Sequence, residues 1–409
     1  MKLAIRSAAA TRQQQPLRAA ADAEPQTRRH RPDYLLLIFA VALLAIGVTV
    51  IYAIGPALTV NQHVSSNYYV TRQLIAIALG IVIFGITAKV PLSYWRRAWP
   101  LFVGLAAVAT LVALLMGERR WIQLGGLSFQ SVELLKFALV IWLADFLAVR
   151  IKNRTIDNTN KTLQPLIIVL AAIGLVVAGL QGDLGSTGVI VAMMGVMAFV
   201  AGLPLKRVLL IGLAILLLLV LAISTTPYRR ERLLSYLHPG SNCLVSGYQE
   251  CQALIAVGSG GTIGLGLGRS VQAYGYLPEA QDDAIFAIYA EKFGFVGVAI
   301  LIALFVAFFA RLKRIVERAP DNFSRFAALG ILVWLSTQTI INIGAMLGLL
   351  PLKGITLPLI SYGGSSVLFV LAAVGLAFQI SHYTSYSVPE SDTAAKWSSA
   401  SQKRRGVGA

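Results

Sequence analysis

Residues 277–311 read LPEAQDDAIFAIYAEKFGFVGVAILIALFVAFFAR, which sets two adjacent aspartates, Asp282 and Asp283, directly before a long apolar run. A run of about 20 apolar residues is enough to cross a lipid bilayer as a helix. An acid pair at the edge of such a run has two explanations. It is either an ordinary charge at the membrane surface or the working acid of an enzyme.

The composition of the whole chain resembles that of this stretch. The chain has 409 residues, of which 57% are hydrophobic and only 13% are charged. A soluble protein of this size cannot bury so much apolar surface, so the composition indicates a helical membrane protein. Two cysteines are too few for a disulfide-rich scaffold or a zinc site.

Successive apolar stretches of roughly 20 residues predict an all-α fold, a polytopic membrane protein with about ten transmembrane helices. We place them at residues 34–55, 72–90, 98–116, 133–149, 163–181, 185–204, 207–224, 284–311, 325–348 and 362–382. A long loop, residues 225–283, separates the seventh from the eighth. Residues 1–33 are polar and predict a disordered basic tail, and residues 383–409 form a C-terminal tail.

The basic residues predict the orientation of the helices. With the N-terminus in the cytoplasm, the cytoplasmic segments contain 25 of the 35 lysines and arginines, as the positive-inside rule expects. The net charge of +17 is then mainly a signal of topology and argues against a nucleic-acid partner. We expect both termini in the cytoplasm, residues 34–382 in the membrane, and the 225–283 loop outside.

Some cations fall on the outer side or within spans, against this rule. They include Arg119, Arg120, Lys136, Arg229, Arg230, Arg232, Arg269 and Lys353. Either these residues bind an anionic partner at that face, or they contact the phosphates of lipid headgroups.

Five motifs make the pattern specific. They are ERRWIQLGGLSFQSVELLK (118–136), LQGDLGS (180–186), SGYQECQALIAVGSGGTIGLGLG (246–268), YLPEAQDDAIFA (276–287) and GLLPLKGITLPLISYGGSS (348–366). In this order, over residues 33–382, they resemble the SEDS family of membrane glycosyltransferases. The sequence KGITLPLISYGGSS is similar to that of the division branch of the family, and the elongation branch is the alternative.

The resemblance implies that the chain polymerises lipid II, the lipid-diphosphate-linked precursor of peptidoglycan, with Asp283 as the catalytic residue. A carboxylate there can take the proton of the acceptor sugar's 4-hydroxyl as this oxygen attacks the anomeric carbon. The leaving diphosphate needs cations, for which a divalent ion, Mg²⁺ or Mn²⁺, is a candidate beside Arg and Lys.

The motifs also imply substrate-binding residues, which are Arg120, Trp121, Glu133, Lys136, Gln249, Gln252, Ser259 and Lys353. For Lys136 the alternative is an ion pair with Glu133, one helical turn away, which would neutralise a buried charge. Asp183 fits a structural role better, because an acid in a tight turn can cap the next helix. The glycines of residues 258–268 either let backbone N–H groups approach a ligand or let this segment pack tightly.

One departure from the family pattern concerns the acid itself. Where the family commonly has His-Thr before the aspartate, this chain has Gln281-Asp282. Asp282 is therefore a candidate accessory acid, which could raise the pKa of Asp283 or help to hold a cation.

Cys243 and Cys251 share the outer loop, where an oxidising exterior would allow a disulfide; two free thiols are the alternative.

The resemblance implies a class B penicillin-binding transpeptidase and divisome regulators as partners, and a place in the bacterial cytoplasmic membrane at the septum. The competing functions are a lipid II flippase and a non-catalytic division scaffold.

Overall fold

Helices account for most of the chain in the computed structural model, which describes residues 26–59, 65–116, 120–124, 127–224, 236, 243, 247–351 and 354–386. In chain order the elements are β1 (Gln26–Arg29), α1 (Tyr34–Thr59), α2 (Tyr68–Lys89), α3 (Leu92–Leu115), β2 (Trp121–Leu124), β3 (Leu127–Gln130), α4 (Ser131–Lys152), α5 (Gln164–Ile173), α6 (Leu184–Val200), α7 (Leu205–Ser224), α8 (Tyr248–Ser259), α9 (Ile285–Arg318), α10 (Asn322–Met346), α11 (Gly364–Ile380) and β4 (Tyr383–Tyr386). Short π-helical segments, Thr159–Leu163 and Gly174–Leu180, continue α5 at both ends.

The helices agree with a membrane protein. Among the described residues, six helical stretches are long and apolar enough to cross a bilayer, and α6 and α11 are shorter apolar helices. Every one of the predicted ranges overlaps a helix. The helix α4 is less apolar because it carries five charged residues, which are Glu133, Lys136, Asp145, Arg150 and Lys152. The number of helices that cross the membrane stays a prediction.

The boundaries differ from the prediction at several places. The helix α9 has 34 residues and continues to Arg318, beyond the predicted end at residue 311. The helix α3 begins at Leu92 rather than at residue 98. Both extensions carry arginines, which apolarity alone does not assign to a span, although a helix can continue past the bilayer into water.

Two small antiparallel sheets depart from an all-α fold. Strand β2 pairs with β3 as a hairpin that leads into α4. Strand β1 pairs with β4, so the segments before α1 and after α11 lie side by side. The predicted tail 1–33 is therefore ordered from residue 26 in the described part of the chain, and residues 1–25 lie outside it. We call this end of the helix bundle the tail end.

Glycines let the helices α1, α2 and α11 and the loop before α11 pack closely. A side-chain carbon at Gly80 of α2 would collide with Leu371 of α11, and one at Gly375 of α11 would collide with Thr87 of α2. Small residues let the backbones of membrane helices approach in this way. A carbon at Gly47 of α1 would lie 2.5 Å from the carbonyl oxygen of Ile360. The loop before α11 is thereby pressed against α1.

The glycine-rich stretch after α8 has a structural role. It pairs with the first turns of α9: Leu265 N donates to Glu291 O at 3.0 Å, and Phe295 N donates to Gly261 O at 2.9 Å. At the crossing, Gly264 (φ +92) and Gly294 (φ +64) hold backbone conformations that favour glycine, and their neighbours leave no room for a side chain. Of the two explanations for these glycines, the structure supports tight packing.

The buried pair Glu291 and Lys292 fixes the rest of this loop. The Glu291 carboxylate accepts hydrogen bonds from Ser270 Oγ, from Val271 N at 2.8 Å and from Gln272 N at 3.2 Å. Lys292 Nζ donates to Leu267 O at 2.7 Å. Residues 265–272 are thus held against α9, directly upstream of the acid pair.

Candidate functional site

Asp283 lies two residues before α9 begins, and its side chain is only 8% exposed. Neighbouring elements hold the backbone around it. Asn342 Nδ2, from α10, donates to Asp283 O at 2.7 Å. Ser361 Oγ donates to Asp282 O at 2.6 Å, and Tyr362 N donates to Gln281 O at 2.9 Å. The acid is therefore preorganised by α10 and by the loop before α11. We call this end of the bundle the site end.

The loop that carries Lys353 reaches the same place. Lys353 itself lies outside the described residues, but its neighbour Gly354 is described. A side-chain carbon at Gly354 would lie 3.6 Å from Asp283 Oδ2. Asn342 Nδ2 also donates to Ile355 O at 2.7 Å, so one amide joins this loop to the Asp283 backbone.

Asp282 has different surroundings from its neighbour. Burial raises the pKa of the Asp282 carboxyl well above its ordinary value of 3.8, and the nearby carboxylates of Glu279 and Asp283 raise it further. Glu279 also hydrogen-bonds with it. The raised pKa therefore favours a protonated Asp282.

Glu133 and Lys136 pair with each other. Lys136 Nζ lies 2.8 Å from Glu133 Oε1, and the two side chains are 0% and 3% exposed. The same ammonium donates to Gln338 Oε1 at 2.8 Å, and Gln338 Nε2 donates to Thr356 O at 2.9 Å. The structure therefore favours the ion-pair interpretation of Lys136 and links the pair to the loop beside Asp283.

Arg120 also bonds within the protein. Its Nε donates to Gln181 O at 2.9 Å and its Nη2 to Gly182 O at 2.5 Å. Trp121, the next residue, begins strand β2. Arg120 thus clamps the turn before α6 to the hairpin. The predicted cap in this turn is confirmed, since Asp183 Oδ1 accepts from Ser186 N at 3.0 Å.

The helix α8 carries Gln249, Gln252 and Ser259. Gln249 and Gln252 are partly buried, whereas Ser259 is exposed and its Oγ donates to Ala256 O at 2.9 Å. A side-chain carbon at Gly348 would lie 3.2 Å from Leu254, so α8 packs over the start of the Lys353 loop. In the structure Cys243 and Cys251 form a disulfide, which ties the chain before α8 to its first turns.

Residue-level reading of the sequence missed the supporting polar side chains. Gln338 and Asn342 are one helical turn apart in α10, and both are buried. Two buried amides at this spacing in an apolar helix were the available signal. Thr356 and Ser361 lie in the motif GLLPLKGITLPLISYGGSS (348–366), whose pattern alone does not indicate what they bond to.

The residues around Asp283 fit a divalent cation only in part. Within the described part of the chain, no group of three or more His, Cys, Asp or Glu side chains is placed to hold a metal ion. Adjacent carboxylates such as Asp282 and Asp283 do match the way Mg²⁺ often binds, through one or two carboxylates and the phosphates of a substrate.

The fold and the site together define a polytopic helical membrane protein with a buried acid, held where loops converge at one end of the bundle. Residues 33–386 match the model of the FtsW/RodA/SpoVE family, described as cell cycle proteins. The chain belongs to this family, which confirms the resemblance seen in its motifs.

Two relatives are similar to this chain over most of their length. Stage V sporulation protein E of Bacillus subtilis is 37% identical over 370 residues, which cover 88% of this chain and 100% of that protein. The probable peptidoglycan glycosyltransferase FtsW of Saccharophagus degradans is 37% identical over 360 residues, 86% of this chain and 92% of that protein.

Solved structures share the fold. A chain from a study of polymerization and crosslinking by a peptidoglycan synthase complex has a TM-score of 0.69 and 28% identity, and the match covers 86% of this chain and 97% of that one. The rod shape determining protein RodA of Thermus thermophilus, in a mutant with one aspartate replaced by alanine, has a TM-score of 0.62 and 27% identity, with coverage of 86% and 97%.

Proposed function

We propose that this chain is a peptidoglycan glycosyltransferase that polymerises lipid II, with Asp283 as the general base. The observation that carries the proposal is the fixed position of Asp283. Its backbone is bonded to Asn342, and Gly354 of the Lys353 loop lies beside its carboxylate. The names of the relatives and the synthase complex among the similar structures support the same reaction class.

In the proposed reaction, the 4-hydroxyl oxygen of the acceptor sugar bonds to the anomeric carbon of the donor. Asp283 Oδ2 takes the hydroxyl proton while the bond from that carbon to the diphosphate oxygen breaks. A positioned base of this kind needs to lie within hydrogen-bond reach of the hydroxyl. Hydrogen bonds to the backbone carbonyls of residues 281–283 hold this segment in place before substrate arrives.

The leaving diphosphate carries negative charge, which a cation must stabilise. We assign this role to Lys353, because its neighbour Gly354 lies beside Asp283. Lys136 is not assigned to it, since its ammonium is fully buried against Glu133 and Gln338. A bound Mg²⁺ or Mn²⁺ would be held by Asp283, and by Asp282 once it has released the proton that its raised pKa favours, and would supply further positive charge to the diphosphate.

The cellular setting is also part of the proposal. The KGITLPLISYGGSS wording and the relatives named FtsW favour the division branch over the elongation branch. We therefore place the chain in a bacterial cytoplasmic membrane at the septum, with Asp283 at the outer face. Its partners would be a class B penicillin-binding transpeptidase, which cross-links new strands, and divisome regulators.

The test is glycan polymerisation from purified lipid II by Asp283→Asn. This variant keeps the size of the side chain but removes the proton acceptor, so we expect the rate to fall about 10²–10⁴-fold. Asp157→Asn, at an exposed position of the tail end, is the matched control and should polymerise like wild type. An Asp283→Asn protein that folds and keeps the wild-type rate refutes the assignment of the base.

A further inference from the structure

A small polar pocket lies at the tail end, where the segment before α1 meets the segment after α11. Its volume is about 160 Å³. The segment before α1 contributes His30, Arg31 and Asp33, and the last turns of α9 contribute Arg311, Arg314 and Arg318. The end of α11 and the first residue of β4 close the remaining side.

Among the described residues of this lining, one arginine and one acid, Arg311 and Asp33, neutralise each other. Arg311 Nη2 donates to Asp33 Oδ2 at 2.6 Å, and Arg311 Nε donates to the same carboxylate at 2.9 and 3.1 Å. Asp33 Oδ1 also accepts from Leu36 N at 3.2 Å, and Asp33 N donates to Ser381 Oγ at 3.0 Å. These bonds fix one wall of the pocket and join the segments before α1 and after α11 to α9.

Three more arginines, Arg31, Arg314 and Arg318, then face the same small volume. Arg314 and Arg318 are four residues apart on one helix face, a spacing at which like charges repel. A helix C-terminus and a cytoplasmic membrane surface both favour arginine. Those general preferences account for a basic face, but not for a pocket whose lining also includes the segment before α1 and the residues after α11.

We propose that this pocket binds a phosphate group. The planar guanidinium fork of arginine matches phosphate oxygens in pairs, and the match is stronger than simple charge attraction. The pocket holds three arginines beyond the Asp33–Arg311 pair, an excess of positive charge that a phosphate would reduce. The phosphate comes either from the headgroup of an anionic lipid or from a free phosphate compound.

The experiment uses the full chain, purified in neutral detergent, and two probes. Inorganic phosphate is titrated against thermal unfolding, with chloride at matched ionic strength. In parallel, the protein is reconstituted into vesicles of phosphatidylglycerol and phosphatidylcholine and extracted in the same detergent. Native mass spectrometry then identifies the lipid that stays bound. If inorganic phosphate raises the unfolding temperature, the ligand is a soluble phosphate compound. If phosphatidylglycerol stays bound and inorganic phosphate leaves the unfolding temperature unchanged, the ligand is a lipid headgroup.

The variant Arg314→Gln/Arg318→Gln should bind its probe about tenfold more weakly or worse, since each charge-assisted hydrogen bond contributes substantially. The control Lys152→Gln/Lys206→Gln removes the same charge from exposed positions of the tail end and should bind like wild type. Arg314→Lys/Arg318→Lys keeps charge and fold but loses the fork, and should bind more weakly than wild type. No response to either probe, an equal loss in the control, or full binding by the lysine variant overturns the proposal.

Discussion

Asp282 and Asp283 are adjacent in sequence but differ in what holds them. The Asp283 side chain is 8% exposed, and its carbonyl is bonded to Asn342. Asp282 is partly buried and interacts with Glu279 and Asp283, and these surroundings raise its pKa. Sequence reasoning allowed for a raised pKa at Asp283; the structure gives the raised pKa of Asp282. The protonated neighbour lowers the repulsion that an ionised Asp283 would otherwise meet.

We predict that Asp282→Asn stabilises the protein at neutral pH. A carboxyl whose pKa is raised on folding binds its proton more tightly in the folded state. Its contribution to the free energy of unfolding is present below the ordinary value of 3.8 and is lost as pH rises through the raised pKa. The amide has no such loss, so the difference between variant and wild type should grow as pH rises from 3.8 through the raised pKa, measured by thermal unfolding in detergent.

Asp157→Asn is the control for that measurement, because Asp157 is exposed at the other end of the bundle. It should follow the wild-type pH curve. Should Asp282→Asn follow the wild-type curve as well, the raised pKa of Asp282 is wrong. Asp282→Asn should also polymerise lipid II far better than Asp283→Asn, since it leaves the proposed base intact.

At the scale of elements, the helices α4 and α10 meet through a buried ionic network. Lys136 and Glu133 of α4 form the ion pair, and Gln338 of α10 accepts from both Lys136 Nζ and Trp334 Nε1 at 2.8 Å. Gln338 then reaches Thr356, whose hydroxyl lies 2.9 Å from Ser366 Oγ. The network therefore connects two interior helices to the loop beside Asp283 and to the start of α11.

We predict that Lys136→Met destabilises the protein by about 3–5 kcal/mol, because it leaves the Glu133 carboxylate buried without its partner. The double variant Glu133→Leu/Lys136→Met removes both charges and should recover most of this loss. If the pair is structural, the double variant also recovers lipid II polymerisation. The measurements are thermal unfolding and glycan chain formation on both proteins.

The matched control is Lys313→Met in α9, whose partner Glu317 lies 3.7 Å away in an exposed pair. Exposed pairs contribute at most about 1 kcal/mol, so this change should have little effect. A double variant that is stable but inactive contradicts the structural assignment. That result would return Lys136 to the diphosphate role that its motif implies.

The helix α8 depends on a covalent link. We predict that Cys243→Ser/Cys251→Ser lowers the stability of this segment by up to about 3 kcal/mol, the scale of a disulfide that closes a short loop. Amide hydrogen exchange should quicken in α8, while the amides of Asp282 and Tyr362, which donate to Glu279 O at 3.0 Å and to Gln281 O at 2.9 Å, keep their protection. Mass spectrometry of the native protein checks the link itself, since two alkylatable thiols would disprove it.

Apolar length was sufficient to place the helices, because a span needs only a run of side chains that lipid tolerates. It was insufficient for β1 and β4, which are short, polar and far apart in sequence, so that only the finished bundle brings them together. The site divides in the same way. The motif around Asp283 identifies the acid, but the partner of a lone amide such as Asn342 depends on which loop the fold places beside it.

At the scale of the whole molecule, the two ends of the bundle have different chemistry. The site end carries Asp283 and its supporting loops, and the tail end carries β1, β4 and the arginine pocket. The helix α9 begins beside the first and contributes Arg311 to the second. The helix α9 is kinked at Gly294, and from residue 295 to residue 311 its straight part rises roughly 24 Å, which is most of the hydrocarbon core of a bilayer.

That separation makes the orientation testable. If the tail end is cytoplasmic, as the positive-inside rule predicts, the site end faces outward. A cysteine placed at Tyr274, which is 57% exposed upstream of the acid pair, should react in intact cells with a membrane-impermeant thiol reagent. A cysteine at Asn153, exposed after α4, should react only once the cells are permeabilised. The reverse pattern would place Asp283 on the cytoplasmic side, where the proposed donor and acceptor strands would not meet it, and would contradict polymerisation at the outer face.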